Sequence, residues 1–233
     1  MTEWPAWATE RVEVQDADDA WQRHGEQARR RLGRVLAPWL VAPVEHVGST
    51  AVPGLPAKPI LDLQVAVADL AHASQFSTVL APDGWHRVPP KLDARAWRRF
   101  FVRVVDGRRD AHLHVMTQAS ARWAEQLTFR DALRSDTRLA QSYAELKITL
   151  ATQHADDREA YSAAKTDFIR AVLAAHEGRG LERRERGKSR ITSDGQSWRW
   201  AVALPDPLTD LSWGAERRWP LRLRRRSIRP IAN

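Results

Sequence analysis

One acid stands inside a stretch that otherwise reads as core. In residues 45–67, EHVGSTAVPGLPAKPILDLQVAV, Asp62 lies among Ile60, Leu61, Leu63 and Val65. An ionised carboxylate is expensive to bury unless it is paired or bound to a metal. Upstream, Gly48, Ser49 and Thr50 form a small-residue turn. Its backbone N–H groups can approach an anion, a helix starting there would add its positive end, and two hydroxyls are at hand for phosphate oxygens. Gln64 follows Asp62 on the same strand face. Lys58 is a further phosphate contact, and Pro59 limits its backbone. A phosphate cradle facing a metal-binding carboxylate is how proteins hold a nucleoside triphosphate with Mg2+. The expected partner is therefore a nucleoside triphosphate or another phosphorylated small molecule.

His112 and His114 share one face of a later strand. With Asp62 and Gln64 they make a candidate metal set, and near His46 they suit a transition metal better than magnesium. Backbone or tyrosine partners would satisfy the same histidines. Asp110 stands just before them at the strand mouth. Further on, Tyr161, Lys165, Phe168 and Val172 fall on one helical stripe, and Tyr143, Lys147 and Leu150 repeat the arrangement. A lysine in an apolar stripe either snorkels to the surface or points into a polar cleft. In the second case Lys147 and Lys165 meet phosphate. Arg130 would do likewise, or pair with an acid to hold helices together.

The elements that must position these residues are legible from caps, turns and periodicity. Asp16 is placed to cap a helix to about 36, ended by Pro38 and Pro43. Strands are expected at 44–47, 59–67 and 84–88, with a helix from Asp69 to about 80. The clearest hairpin joins 100–105 to 111–116 across Asp106-Gly107. Helices follow at 121–134, 136–152 and 156–176, with Asp136 and Asp156 as caps. The class is α/β, in the α+β sense: a small mixed sheet followed by a helical half.

A net charge of +8 resembles a nucleic-acid signal until it is located. Residues 178–233 hold thirteen Arg and one Lys against six acids, while 1–177 holds 23 of each sign. The division expected is a folded domain at 1–177 and a disordered basic tail at 178–233, with Trp198, Trp200, Trp213 and Trp219 scattered in it. Nucleic-acid association would be left to that tail. No apolar run approaches a membrane span, no secretory signal is visible, and there is no cysteine for a disulfide or thiolate site. Cytoplasmic placement is the expectation.

The run HVGSTAVPGLPAKPILDLQVAV resembles the signature of the GrpB family, and later elements agree: His112 to His114, Phe129-Arg130-Asp131, Tyr143 with Lys147, and Tyr161 with Lys165. The resemblance covers about residues 10–176. It implies a nucleotidyltransferase fold related to that of DNA polymerase beta. In active relatives a Gly-Ser turn grips the triphosphate, and an Asp-x-Asp pair with a third acid holds two metal ions. Gly48 and Ser49 match the turn and Asp62 the first acid. Gln64 stands where the second acid would be, and histidines occupy the expected strand of the third. A similar domain is fused behind dephospho-coenzyme A kinase in some bacteria. This chain lacks a Gly-x4-Gly-Lys-Ser/Thr loop. Two functions are implied: transfer of a nucleoside monophosphate from NTP-Mg to a hydroxyl acceptor with Asp62 as the catalytic acid, or a catalytically weakened nucleotide- or phosphate-binding module linked to coenzyme A biosynthesis.

Overall fold

The computed structural model describes residues 11–93 and 95–191. Five strands form one mixed sheet: β1 (Glu45–Val47), β2 (Leu61–Val67), β3 (Trp85–Arg87), β4 (Arg98–Val105) and β5 (Arg108–Thr117), in the order β1-β2-β5-β4-β3. β2 and β5 run parallel, and the other pairs are antiparallel. Six α-helices surround it: α1 (Ala20–Val35), α2 (Ala73–Leu80), α3 (Ala121–Ser135), α4 (Thr137–Gln153), α5 (Arg158–Ala163) and α6 (Thr166–Ile191).

The period of two along β2 and β5 sorts side chains to opposite faces. Leu61, Leu63, Val65 and Val67 join Ala111, Leu113, Val115 and Phe101 in the main core, closed by Trp21, Ala28 and Leu32 of α1 and Phe76 and Leu80 of α2. The intervening positions, Asp62 and Gln64 on β2 and His112 and His114 on β5, turn to the other face. Parallel register sets Asp62 opposite His112 and Gln64 opposite His114. One sheet face is thus core; the other carries these polar residues and then a small apolar cluster of Ala66, Met116 and Trp123.

The helical half has a smaller core of its own. Leu133 and Tyr143 pack with Val52 and Leu55 of the β1–β2 loop, and Phe129 and Phe168 close the cluster. Tyr143 meets Phe129 edge-on and stacks on Phe168, with centroids 5.1 and 5.2 Å away. The β1–β2 loop therefore belongs to both cores and bridges sheet and helices.

Several boundaries differ from expectation. Helix α1 starts at Ala20, whose N–H bonds to Asp18 Oδ1 at 2.7 Å, so Asp18 rather than Asp16 serves its first turn. Asp136 caps α4 as expected, accepting from Leu139 N–H at 3.0 Å. The cap of α5 is Asp157, not Asp156. The single helix expected over 156–176 is two, broken at Ala164 and Lys165. The last of them continues past His176 to Ile191, through residues expected to lie in the tail. Residues 192–233, with the four tail tryptophans, lie outside the described residues. Among those described, no helix is long and apolar enough to cross a membrane.

Candidate functional site

The cleft lies where the β1–β2 loop meets the polar sheet face and the break between α5 and α6. Its volume is ≈ 190 Å³, and Ser49, Lys58, Asp62, His112, Lys147 and Lys165 are among its walls, with Tyr161 and Ser162 beside them. Gly48 enters the loop at φ 70° and ψ −171°, a conformation open essentially to glycine alone. It packs directly on Asp62: a methyl group there would sit 2.5 Å from Asp62 Oδ2. The expected juxtaposition of turn and acid is present.

Asp62 faces two imidazoles and is hydrogen-bonded by one of them. His112 Nδ1 lies 2.9 Å and His114 Nε2 3.9 Å from its Oδ1, while the side chain keeps 34% of its surface exposed. Burial pulls the Asp62 carboxyl upward, but the histidine hydrogen bonds outweigh it and hold the group well below the usual carboxylate range. His112 Nε2 is buried without a hydrogen-bond partner. A buried N–H without an acceptor is the costlier orphan, so the ring proton belongs on Nδ1, donating to Asp62.

Three ammonium groups share the cleft with that one carboxylate. Lys58 and Lys165 both lie against the Tyr161 ring, their Nζ atoms 5.0 and 4.0 Å from its centroid. Lys147, 2% exposed, donates to the Pro56 carbonyl and lies over Tyr143. Burial, with repulsion from Lys165, pushes Lys58 and Lys147 down to about 7; Arg158 adds to the repulsion on Lys58. Burial pushes Lys165 down to about 8, against the pull of Asp62. Depressed lysines crowded together mark a site short of negative charge.

Other residues singled out in the sequence lie elsewhere. Thr50 borders the cleft, but its hydroxyl donates to the Ile60 carbonyl at 3.2 Å and accepts from His46 Nε2 at 3.0 Å. With its one proton engaged, it offers phosphate no donor. Gln64 is fully buried, with Nε2 on the Trp123 carbonyl at 3.3 Å and Oε1 unpartnered; it is not among the cleft-lining residues. Asp110 pairs with Arg103 across the hairpin and supplies no third acid.

Arg130 braces α3 to β1 instead of entering the cleft. It reaches Glu45 Oε2 at 2.7 Å, the His46 carbonyl at 3.0 Å and Asp131 at 2.8 Å. Arg130→Met should therefore lower stability by about 2 kcal/mol in urea denaturation, as lost charged hydrogen bonds would. Its affinity for ATP should stay within about twofold of wild type, since only the brace is removed.

Two residues that matter here went unread in the sequence. Arg98 Nη1 lies 2.6 Å from His114 Nδ1, and the same guanidinium forks onto Asp93 at 2.9 and 2.7 Å. Arg98 also stacks on Phe100, with Cζ 4.2 Å from the ring centroid. Both charges are buried. The available signal was strand alternation, which puts Arg98 and Phe100 on one face.

Asp62, His112 and His114 bring ligand atoms within 4.8 Å of one another. The set nevertheless does not fit the two-ion magnesium centre implied by the resemblance. Magnesium asks for near-octahedral oxygen donors, and paired cations need several anionic ligands. Among the described residues, Asp62 is the one carboxylate in the cleft wall. A transition metal would need a free lone pair from each imidazole, and the His112 nitrogen nearest Asp62 is already committed to a hydrogen bond with it.

Residues 11–175 match the family described as GrpB protein. The chain belongs to the GrpB family. It is 32% identical to the UPF0157 protein YqkA of Bacillus subtilis over 70% of this chain and 46% of that one. It is 28% identical to a dephospho-CoA kinase of Mycolicibacterium paratuberculosis, over 68% of this chain and 44% of the kinase. The chain thus spans less than half the length of either relative. The crystal structure of the conserved protein GrpB from Enterococcus faecalis aligns with a TM-score of 0.63 at 26% identity, covering 70% of this chain and 99% of that chain. The α/β architecture, a mixed sheet with a helical half, is the class expected from the sequence, and the chain shares its fold with that GrpB structure.

Proposed function

We propose that this GrpB-family protein is a nucleotide-binding module whose cleft holds a phosphate chain, and that it works without two-metal chemistry. The observation that carries the reading is the gathering of Lys58, Lys147 and Lys165 around a single carboxylate, beside the Gly48-Ser49 turn. Preorganised ammonium groups and backbone donors can stabilise phosphate charge without a cation. Mg2+ would then arrive, where it is needed, with the nucleotide. Likeness to the dephospho-CoA kinase chain supports testing a coenzyme A precursor among the ligands. Nucleotidyl transfer to a hydroxyl acceptor is the second reading. The one-third exposure of Asp62 next to the turn favours it.

Thermal shift and calorimetry with ATP, each with and without EDTA, separate the two at pH 6.5. On the binding reading, ATP raises Tm in EDTA, and Asp62→Asn retains or tightens binding because a like charge has left the cleft. On the transferase reading, Asp62→Asn abolishes binding or turnover. No shift with any nucleoside triphosphate or with dephospho-coenzyme A would reject both.

A further inference from the structure

We propose that Arg98 is a positioning residue that fixes the tautomer of His114 and so closes the Asp62–His112–His114 cluster to metal ions. A guanidinium has donors only. At 2.6 Å, Arg98 Nη1 must donate to His114 Nδ1, which is therefore an acceptor with its lone pair engaged. A neutral imidazole carries one N–H, so the proton resides on Nε2, the nitrogen nearest Asp62. Protonating both nitrogens would set an N–H against the guanidinium. The ring is thus held neutral, with no lone pair facing the cluster.

Asp93 makes this arrangement rigid. Its two oxygens take two more donors of Arg98, from Nε and Nη2, and Phe100 lies beneath the guanidinium plane and touches both histidines, with centroids 5.2 Å from His112 and 5.1 Å from His114. The result is a buried relay, Asp93 to Arg98 to His114, aimed at Asp62 and met from the other side by His112. Histidines that would read as ligands by residue type turn N–H groups toward the carboxylate, His112 in a hydrogen bond at 2.9 Å and His114 at 3.9 Å. Proton placement and metal exclusion lie beyond the phosphate reading, and the two stand or fall separately.

Histidine nitrogen NMR on the full chain at pH 7 tests the tautomer without any substitution. The expected signature is a protonated Nε2 and a bare Nδ1 at His114; a protonated Nδ1 there overturns the proposal. Cobalt(II) alone then probes the cluster through its visible absorption. Wild type should show no Asp62-dependent binding, and the double variant Asp93→Asn/Arg98→Met, which avoids stranding a buried carboxylate, should acquire saturable cobalt binding that is lost again on adding His114→Gln; no binding by the double variant would overturn the proposal. Arg98→Lys keeps a donor and should keep the cluster closed. Saturable cobalt binding by wild type that disappears in Asp62→Asn would overturn the proposal. ATP binding is scored in parallel: its failure would count against the phosphate reading and leave the tautomer result untouched.

Discussion

Raising the pH from 7 to 9 should weaken ATP binding by roughly two to three orders of magnitude, while the ligand-free protein gains stability over the same interval. The two effects share a cause. Burial holds Lys58 and Lys147 down at about 7 and Lys165 at about 8. A phosphate chain favours their charged forms, so binding takes up protons wherever the free lysines have lost them. Counting Lys58 and Lys165 alone gives this range, since ATP phosphate charge is nearly complete above pH 7.

For folding the sign is opposite. Each lysine has a lower pKa in the folded state than in the unfolded chain, so between about 7 and the ordinary lysine value the unfolded state binds more protons. Stability therefore rises with pH in that window, by at most about 1.4 kcal/mol per lysine per unit. Urea denaturation and ATP titration at pH 7, 8 and 9 read both slopes. A flat affinity across the series would mean that the lysines snorkel and do not meet the ligand. Lys58→Met combined with Lys165→Met should flatten what remains.

Much of this site is legible without the fold, and the reasons are local. The chemistry-bearing turn and acid stand within one supersecondary unit, β1, loop and β2, so sequence distance approximates spatial distance. Strand alternation alone puts His112 and His114 on one face. The lysines of α4 and α5–α6 are legible as a stripe, although the break at Lys165, which aims that residue into the cleft, has no strong breaker to announce it.

What fails to show is long-range pairing. Counting back from the Asp106-Gly107 turn gives the wrong partners, because a bulge at Arg103/Val104 shifts the register by one residue. The true register puts Phe100 opposite His114 and brings Arg98 to the site. Gln64 and Arg130 mislead for a related reason. Their types suit a phosphate or metal site, but α3 arrives from roughly sixty or more residues away and takes both for packing.

Gly48→Ala should cost both stability and the site. Two independent penalties coincide at this position. The backbone conformation is one that L-residues essentially do not adopt, worth about 1–3 kcal/mol. The new Cβ would also meet Asp62 Oδ2 at 2.5 Å and Asp62 Cβ at 3.0 Å. Asp62 cannot easily retreat, because His112 hydrogen-bonds its other oxygen. Either the turn moves, carrying Ser49 and its amides away from the cleft, or the carboxylate is driven off its imidazoles. Gly54 provides the control: it too has positive φ, 73°, but among the described residues nothing lies within 4 Å of where its methyl group would go. Gly54→Ala should thus cost about 1 kcal/mol and leave ATP binding intact. Gly48→Ala should lose about 3 kcal/mol or more in urea and all measurable ATP affinity. Equal behaviour of the two variants would show that the contact between turn and acid is not what shapes the site.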